Sequence, residues 1–139
     1  MVMRKLLSIL FVVAVVTVIG TAQAGTKSEP IFKPGVVYKL AKIEASRLHI
    51  VKGEWNCLSA LISRENAEPP NTWNPQKWNG AGSGAFGLPQ ALPGSKMASE
   101  GTDWYWNPQT QIRWMIKYSK SRYGGVCQAD SYQRRNHWY

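Results

Sequence analysis

No long regular element fits between Glu68 and Gly101. Pro69, Pro70, Pro75, Pro89 and Pro93 alternate there with Gly80, Gly82, Gly84, Gly87 and Gly94. Each proline removes a backbone donor and fixes φ, and each glycine adds conformational freedom that a helix or strand must suppress. A stretch of this length without a regular element is uncommon inside a small domain unless it has work to do. The expectation is a mostly α-helical domain folded around one long, ordered Gly/Pro-rich loop.

The flanks carry helical spacing. From Val36 to Val51, the residues Val37, Leu40, Ala41 and Leu48 share one broad face, and Gly53 is a plausible stop. A second helix is expected from Glu54 to Ala67, with Glu54 in the first turn where a negative charge suits the helix dipole. The third is the most sharply marked. Asn107 offers a cap, Pro108 suits the first helical position, and Gly124-Gly125 marks the end. Between them Ile112, Met115, Ile116, Ser119 and Tyr123 keep the three-and-four spacing of a buried face.

Ahead of these helices, Arg4 and Lys5 precede an almost wholly apolar run from Leu6 to Ile19, followed by Ala22-Gln23-Ala24. That is the pattern of a secretory signal, and the run is short against the ~20 apolar residues of a membrane span. Residues 1–24 are therefore read as a signal peptide, 25–35 as an extended leader and 36–139 as one domain. The expected location is secreted or periplasmic, with no membrane span after cleavage. The alternative is an uncleaved N-terminal anchor.

The formal charge of the chain is +9. A basic secreted domain is drawn to anionic polymers. The basic residues are scattered, however, and no nucleic-acid motif accompanies them, so nucleic acid is not the expected partner. Cys57 and Cys127 are the only cysteines. In an oxidising compartment they most simply form one disulfide, worth about 4 kcal/mol in the chain-entropy model. With only His49 and His137 to join them they make a poor zinc set, and no metal is expected.

The chemistry-bearing residue is Glu65, in the stretch CLSALISREN. On a helical wheel Trp55, Leu58, Leu61 and Ile62 cover one arc, and Glu65 projects within about 30° of its centre. The carboxylate leaves the helix on the core side, in the last turn, where the dipole also disfavours negative charge. Both effects favour the protonated form, which suits general-acid chemistry. The plainer account is a structural glutamate paired with Arg64 or another cation.

The segments LISRENAEPPNTWNP, SGAFGLPQALPGSKMAS and NPQTQIRWMIKYSKSRYG, with the terminal Trp138-Tyr139, resemble the soluble lytic transglycosylase-like domain of the lysozyme-like superfamily. The resemblance spans roughly residues 50–139. It implies that Glu65 is the catalytic acid and that the turn holding Ser83, Gly87, Leu88 and Gln90 lines a sugar groove. Gln90 would then hydrogen-bond substrate, and Tyr139 would be a site tyrosine. The chain departs from the family pattern in three places: Asn66 stands where a serine is usual, the connection from Glu65 to Asn74-Pro75 is longer, and His137 replaces a glycine.

The implied activity is cleavage of the β-1,4 bond between N-acetylmuramic acid and N-acetylglucosamine in peptidoglycan. It leaves 1,6-anhydro ends, needs no cofactor, and is expected of a monomer. One rival is a hydrolytic muramidase, which needs a second acid such as Asp103. Another is a non-catalytic wall-binding protein that keeps the fold. A membrane-active role would require a strongly basic amphipathic helix that the mature chain lacks. Trp73, Trp78, Trp104 and Trp106, in or beside the loop, suit sugar stacking and core packing equally, whereas Trp55 and Trp114 read as core.

Overall fold

The computed structural model describes residues 30–80 and 82–139. The expected signal peptide and the first part of the expected leader lie outside the described residues. Four α-helices form the body: α1 (Val36–Arg47), α2 (Lys52–Asn66), α3 (Pro108–Tyr123) and α4 (Val126–Asn136). Between α2 and α3 the chain makes two 3-10 segments, Pro70–Thr72 and Gly94–Glu100. Among the described residues it has no strand, only isolated bridges from Phe86 to Trp78 and to Ala91. No described helix is long and apolar enough to cross a membrane.

α1 packs on α3, while α4 packs on both α2 and α3. The arcs read from the sequence are the buried ones. Leu58, Leu61 and Ile62 from α2 and Ile112, Met115 and Ile116 from α3 are buried, with Val37, Ala41 and Ala45 from α1. Each large aliphatic side chain so buried contributes about 1.5–3 kcal/mol. A charged residue buried with this core is Glu44 on α1, which accepts from Arg113 Nη1 at 2.5 Å and from Gln109 Nε2 at 3.3 Å, so α1 is tied to α3 by charge as well as by packing.

Two boundaries differ from expectation. α1 stops at Arg47, because His49 takes a left-handed φ of 58° and Ile50 N–H turns back to the Ala45 carbonyl. Gly53 is therefore not the stop; it lies in the first turn of α2, which starts at Lys52. The glutamate half of a capping box closes that start, with Val51 N–H donating to Glu54 Oε2. α3 begins as expected, its Asn107 Oδ1 accepting from Gln109 N–H at 2.9 Å, and ends at Gly124 with φ 84°.

The sequence reading assigned no element to α4. Its buried face is Val126, Ala129, Asp130 and Gln133, a helical spacing whose later half is polar. α4 is joined to α2 by the Cys57–Cys127 disulfide, which closes 70 positions of sequence.

The segment between α2 and α3 has a small core of its own, with Phe86, Ala91 and Met97 buried against Trp104 and Trp114. Phe86 also stacks on Tyr105 at a centroid distance of 4.8 Å. The extra residues after Glu65 pack back toward the start of the body. Gly35 N–H donates to the Asn71 carbonyl at 2.7 Å, and Lys77 pairs with Glu68.

Candidate functional site

Glu65 continues the buried arc of α2 by one turn beyond Leu61 and Ile62, and α2 ends just after it. Ala67 adopts a left-handed φ of 52°, with Ala67 N–H on the Arg64 carbonyl and Glu68 N–H on the Ser63 carbonyl. The carboxyl is thus held at the negative end of a helix and largely removed from water. Burial raises its pKa to about 7, and a hydrogen bond from Gln133 and the charge of Arg64 only partly offset that rise. Its buried Oε1 has no hydrogen-bond partner.

Arg64 does not form an ion pair with Glu65. Its guanidinium pairs with Asp130 of α4, and its Nε donates to Gln133 Oε1 at 2.6 Å. Asp130 also accepts from Arg134 at 2.6 Å. The neighbouring cation is consumed by an aspartate, and no ion pair to Glu65 occurs among the described residues. The plainer account of Glu65 as half of a salt bridge with Arg64 therefore fails. Because Arg64 occupies the Gln133 carbonyl oxygen, the amide nitrogen of Gln133 is the part left to donate to Glu65.

Beside Glu65, the backbone of the Gly-rich turn is held by two buried amides. Asn66, fully buried, donates from Nδ2 to the Asn74 and Gly87 carbonyls and accepts from Asn74 N–H at 2.8 Å. Gln111 of α3, also fully buried, accepts from Leu88 N–H at 2.9 Å and donates to the Pro75 and Trp104 carbonyls at 2.7 and 2.8 Å. Gly87 sits between them at φ 78°, and a Cβ there would lie 2.8 Å from Gln111 Oε1. Glycine is required at this point both by backbone conformation and by the close approach of the amide.

The residues expected to line a groove take different places. Gln90, at φ 48°, is half-buried and donates from Nε2 to the Gly87 and Lys77 carbonyls, bracing the turn from within. Leu88 is a core residue with no exposed surface, so its side chain anchors the turn instead of facing a groove. Ser83 is exposed and accepts from Ala85 N–H. Tyr139 donates from Oη to the Pro89 carbonyl at 3.1 Å, and its pKa is pushed well above 10 by burial and then by the charge of Glu65. Tyr139 therefore touches both the turn and the electrostatic surroundings of the acid. Gln90, Trp114, Tyr118 and Tyr139 line a recess of about 100 Å³. Larger hollows, of about 380 Å³ between residues 30–34 and 71–76 and about 430 Å³ between α1 and the start of α2, are not lined by Glu65.

Asp103 is occupied. Its oxygens accept from Thr110 Oγ1 and Asn107 Nδ2, each at 2.6 Å. Burial works to raise its pKa, but these hydrogen bonds outweigh burial and hold the carboxyl below the usual carboxylate value. Trp73 is core, with Nε1 donating to Ser63 Oγ, and Trp104 packs edge-on to Phe86, while Trp78 and Trp106 are exposed. Among the described residues no three of His, Cys, Asp and Glu come together as a metal-holding group.

Sequence reasoning missed Gln133, Asp130 and Gln111. The signal for the first two was present as the spacing of Val126, Ala129, Asp130 and Gln133, but it does not register as hydrophobic periodicity. Chemically, the arrangement offers one carboxyl that gains or loses a proton near neutral pH, beside a turn of fixed shape. No family model, no curated protein and no solved structure matches this chain.

Proposed function

We propose that the chain is a secreted lytic transglycosylase of lysozyme-like architecture, with Glu65 as its single acid and base. One observation carries the reading. Glu65 is a half-buried carboxyl at a helix end with a pKa of about 7, without an ion-pair partner among the described residues and with one oxygen unengaged. A carboxyl that is protonated near neutral pH and deprotonates readily is suited to give up a proton and then take one back.

In this scheme Glu65 protonates the oxygen linking N-acetylmuramic acid to N-acetylglucosamine, and the C1–O bond breaks. The substrate's N-acetyl group stabilises the cationic centre. Glu65, now a carboxylate, accepts the proton of the muramic C6 hydroxyl as that oxygen bonds to C1. The product is a 1,6-anhydro end, and no water is consumed. Gln133 steadies the carboxylate formed midway, and the pinned Gly87–Gln90 turn supplies a preset wall for the strand. The disulfide suits an oxidising compartment outside the cytoplasm. The single-acid route is preferred to hydrolysis because Asp103, the candidate second acid, already accepts from Thr110 and Asn107.

Mass spectrometry of purified peptidoglycan digested by the chain tests this. Anhydro-ended fragments are expected, one water lighter than hydrolytic products, and Glu65→Gln should lower their yield by roughly 10²- to 10⁴-fold. Reducing ends from the wild type would make the protein a hydrolase. Wall binding without release would make it a binding protein.

A further inference from the structure

The ends of α3 and α4 carry a feature that the reaction above does not use. Arg122, in the last turn of α3, lies 5.8 Å from the Tyr118 ring centroid, 5.7 Å from that of Tyr123 and 5.9 Å from that of Trp138. Trp138 is half exposed and is itself braced edge-on by Tyr132 at 5.0 Å. A guanidinium against one ring is an ordinary surface contact, and a cation in the last turn of a helix suits the dipole. Three rings around one guanidinium do more, because they restrict a side chain that would otherwise lose considerable rotamer freedom on binding.

Among the described residues no side-chain carboxylate forms an ion pair with this guanidinium. Among the described residues Glu44, Glu68, Glu100 and Asp130 pair with other cations, Glu54 caps α2, and Asp103 is held by Thr110 and Asn107. The remaining described side-chain acid is Glu65, whose charge is felt by Arg64 and Tyr139. The same rings lead from Arg122 to that acid: Tyr123 and Tyr118 lie 6.3 and 5.8 Å from Tyr139. An exposed guanidinium framed by rings, with no side-chain carboxylate paired to it among the described residues, therefore sits at the far end of an aromatic patch that begins beside Glu65.

We propose that Arg122, framed by Tyr118, Tyr123 and Trp138, is a subsite for a carboxylate carried on the peptide stem of the glycan strand. The planar fork of arginine matches a carboxylate through two parallel hydrogen bonds, and the exposed indole of Trp138 offers an apolar face for the adjoining peptide. The subsite rests on the glycan-cleaving reading and adds what that reading leaves open, namely which strands are preferred. Strands bearing acidic stems are bound more tightly than bare strands or strands whose stem carboxyls are amidated.

The test is calorimetric binding to the full chain carrying Glu65→Gln, so that ligands are not consumed. Three soluble glycan fragments of equal length serve as probes: one with free-acid stems, one with the same stems amidated, and one with stems removed. Adding Arg122→Gln should weaken the free-acid fragment about tenfold and leave the other two unchanged, as expected for loss of a charge-assisted hydrogen-bonded pair. Arg122→Lys, which keeps the charge without the fork, should recover part of the loss. Equal weakening of all three fragments, or of none, overturns the subsite while leaving the cleavage reading intact. If no fragment binds even with Arg122 in place, both readings fall.

Discussion

The helical body and the segment between α2 and α3 are held together by different physics. In the body, apolar arcs from four helices meet in one core, and a disulfide ties α2 to α4. In the intervening segment the apolar cluster is small, and the path of the chain is set by two buried amides, Asn66 and Gln111, each of which holds backbone groups with directional bonds. Apolar contacts tolerate exchange among side chains of similar volume. Directional bonds do not, because an unpaired buried backbone group costs about 1–3 kcal/mol. The body is the robust half of the molecule, and the wall beside Glu65 belongs to the fragile half.

The largest expected effect falls on the body without touching the wall. Replacing Cys57 and Cys127 together by serine removes a constraint worth about 4 kcal/mol, because it frees a long loop in the unfolded chain. Denaturant unfolding should show a lowered midpoint. At temperatures where the variant is still folded, the proposed glycan cleavage should continue at near wild-type rate, since the disulfide joins Cys57, in the first half of α2, to Cys127 at the start of α4, away from the helix end that carries Glu65. Loss of activity in a folded variant would mean that the disulfide shapes the site directly.

A second prediction sets the two regions side by side. Gln111→Leu keeps similar volume but strands Leu88 N–H and the Pro75 and Trp104 carbonyls, costing about 3 kcal/mol and loosening the turn. Its neighbour on the same helix, Ile112→Leu, exchanges one fully buried aliphatic side chain for another and should cost under about 1.5 kcal/mol. Hydrogen exchange should show the difference as faster exchange at Leu88 N–H in the first variant only. Equal effects from both would mean that the segment is held by packing after all.

The same contrast explains what could be read in advance. The arcs Leu58–Leu61–Ile62 and Ile112–Met115–Ile116 announce themselves through periodicity, and Asn107, Pro108 and Gly124 mark the ends of α3 in the residue types that caps demand. Glu65 stood out because it continued an apolar arc. α4 was invisible because its inward face turns from Val126 and Ala129 to Asp130 and Gln133, and a polar residue satisfied across a helix interface looks like a solvent-facing one. Gln111 was hidden in the same way, adjacent to an apolar stripe but aimed at backbone groups many positions away. Asn66 was noticed as a departure from a family pattern, yet its grip on Asn74 and Gly87 depends on where the chain returns. Partnerships formed at long range leave no local trace in a sequence.

The smallest of these effects concerns Glu65, which lies where the two regions meet. In the folded protein its carboxyl keeps its proton up to about pH 7, whereas the unfolded chain releases it near the ordinary value of 4.5. The folded state therefore binds more protons between these values, so stability falls as pH rises from about 4.5 to about 7 and levels off above. Allowing for the part of the group that water still reaches, the loss is on the order of 2 kcal/mol. Glu65→Gln lacks this titrating group, so its stability should not show this fall across the window. It should match the wild type at pH 4.5 and exceed it at pH 8 by about that amount. The proposed glycan cleavage should fall over the same range, because the acid form is the one that donates. If chemical denaturation gave parallel pH profiles for the two proteins, Glu65 would be an ordinary ionised carboxylate, and neither the burial-raised pKa at this helix end nor the acid chemistry built on it would stand.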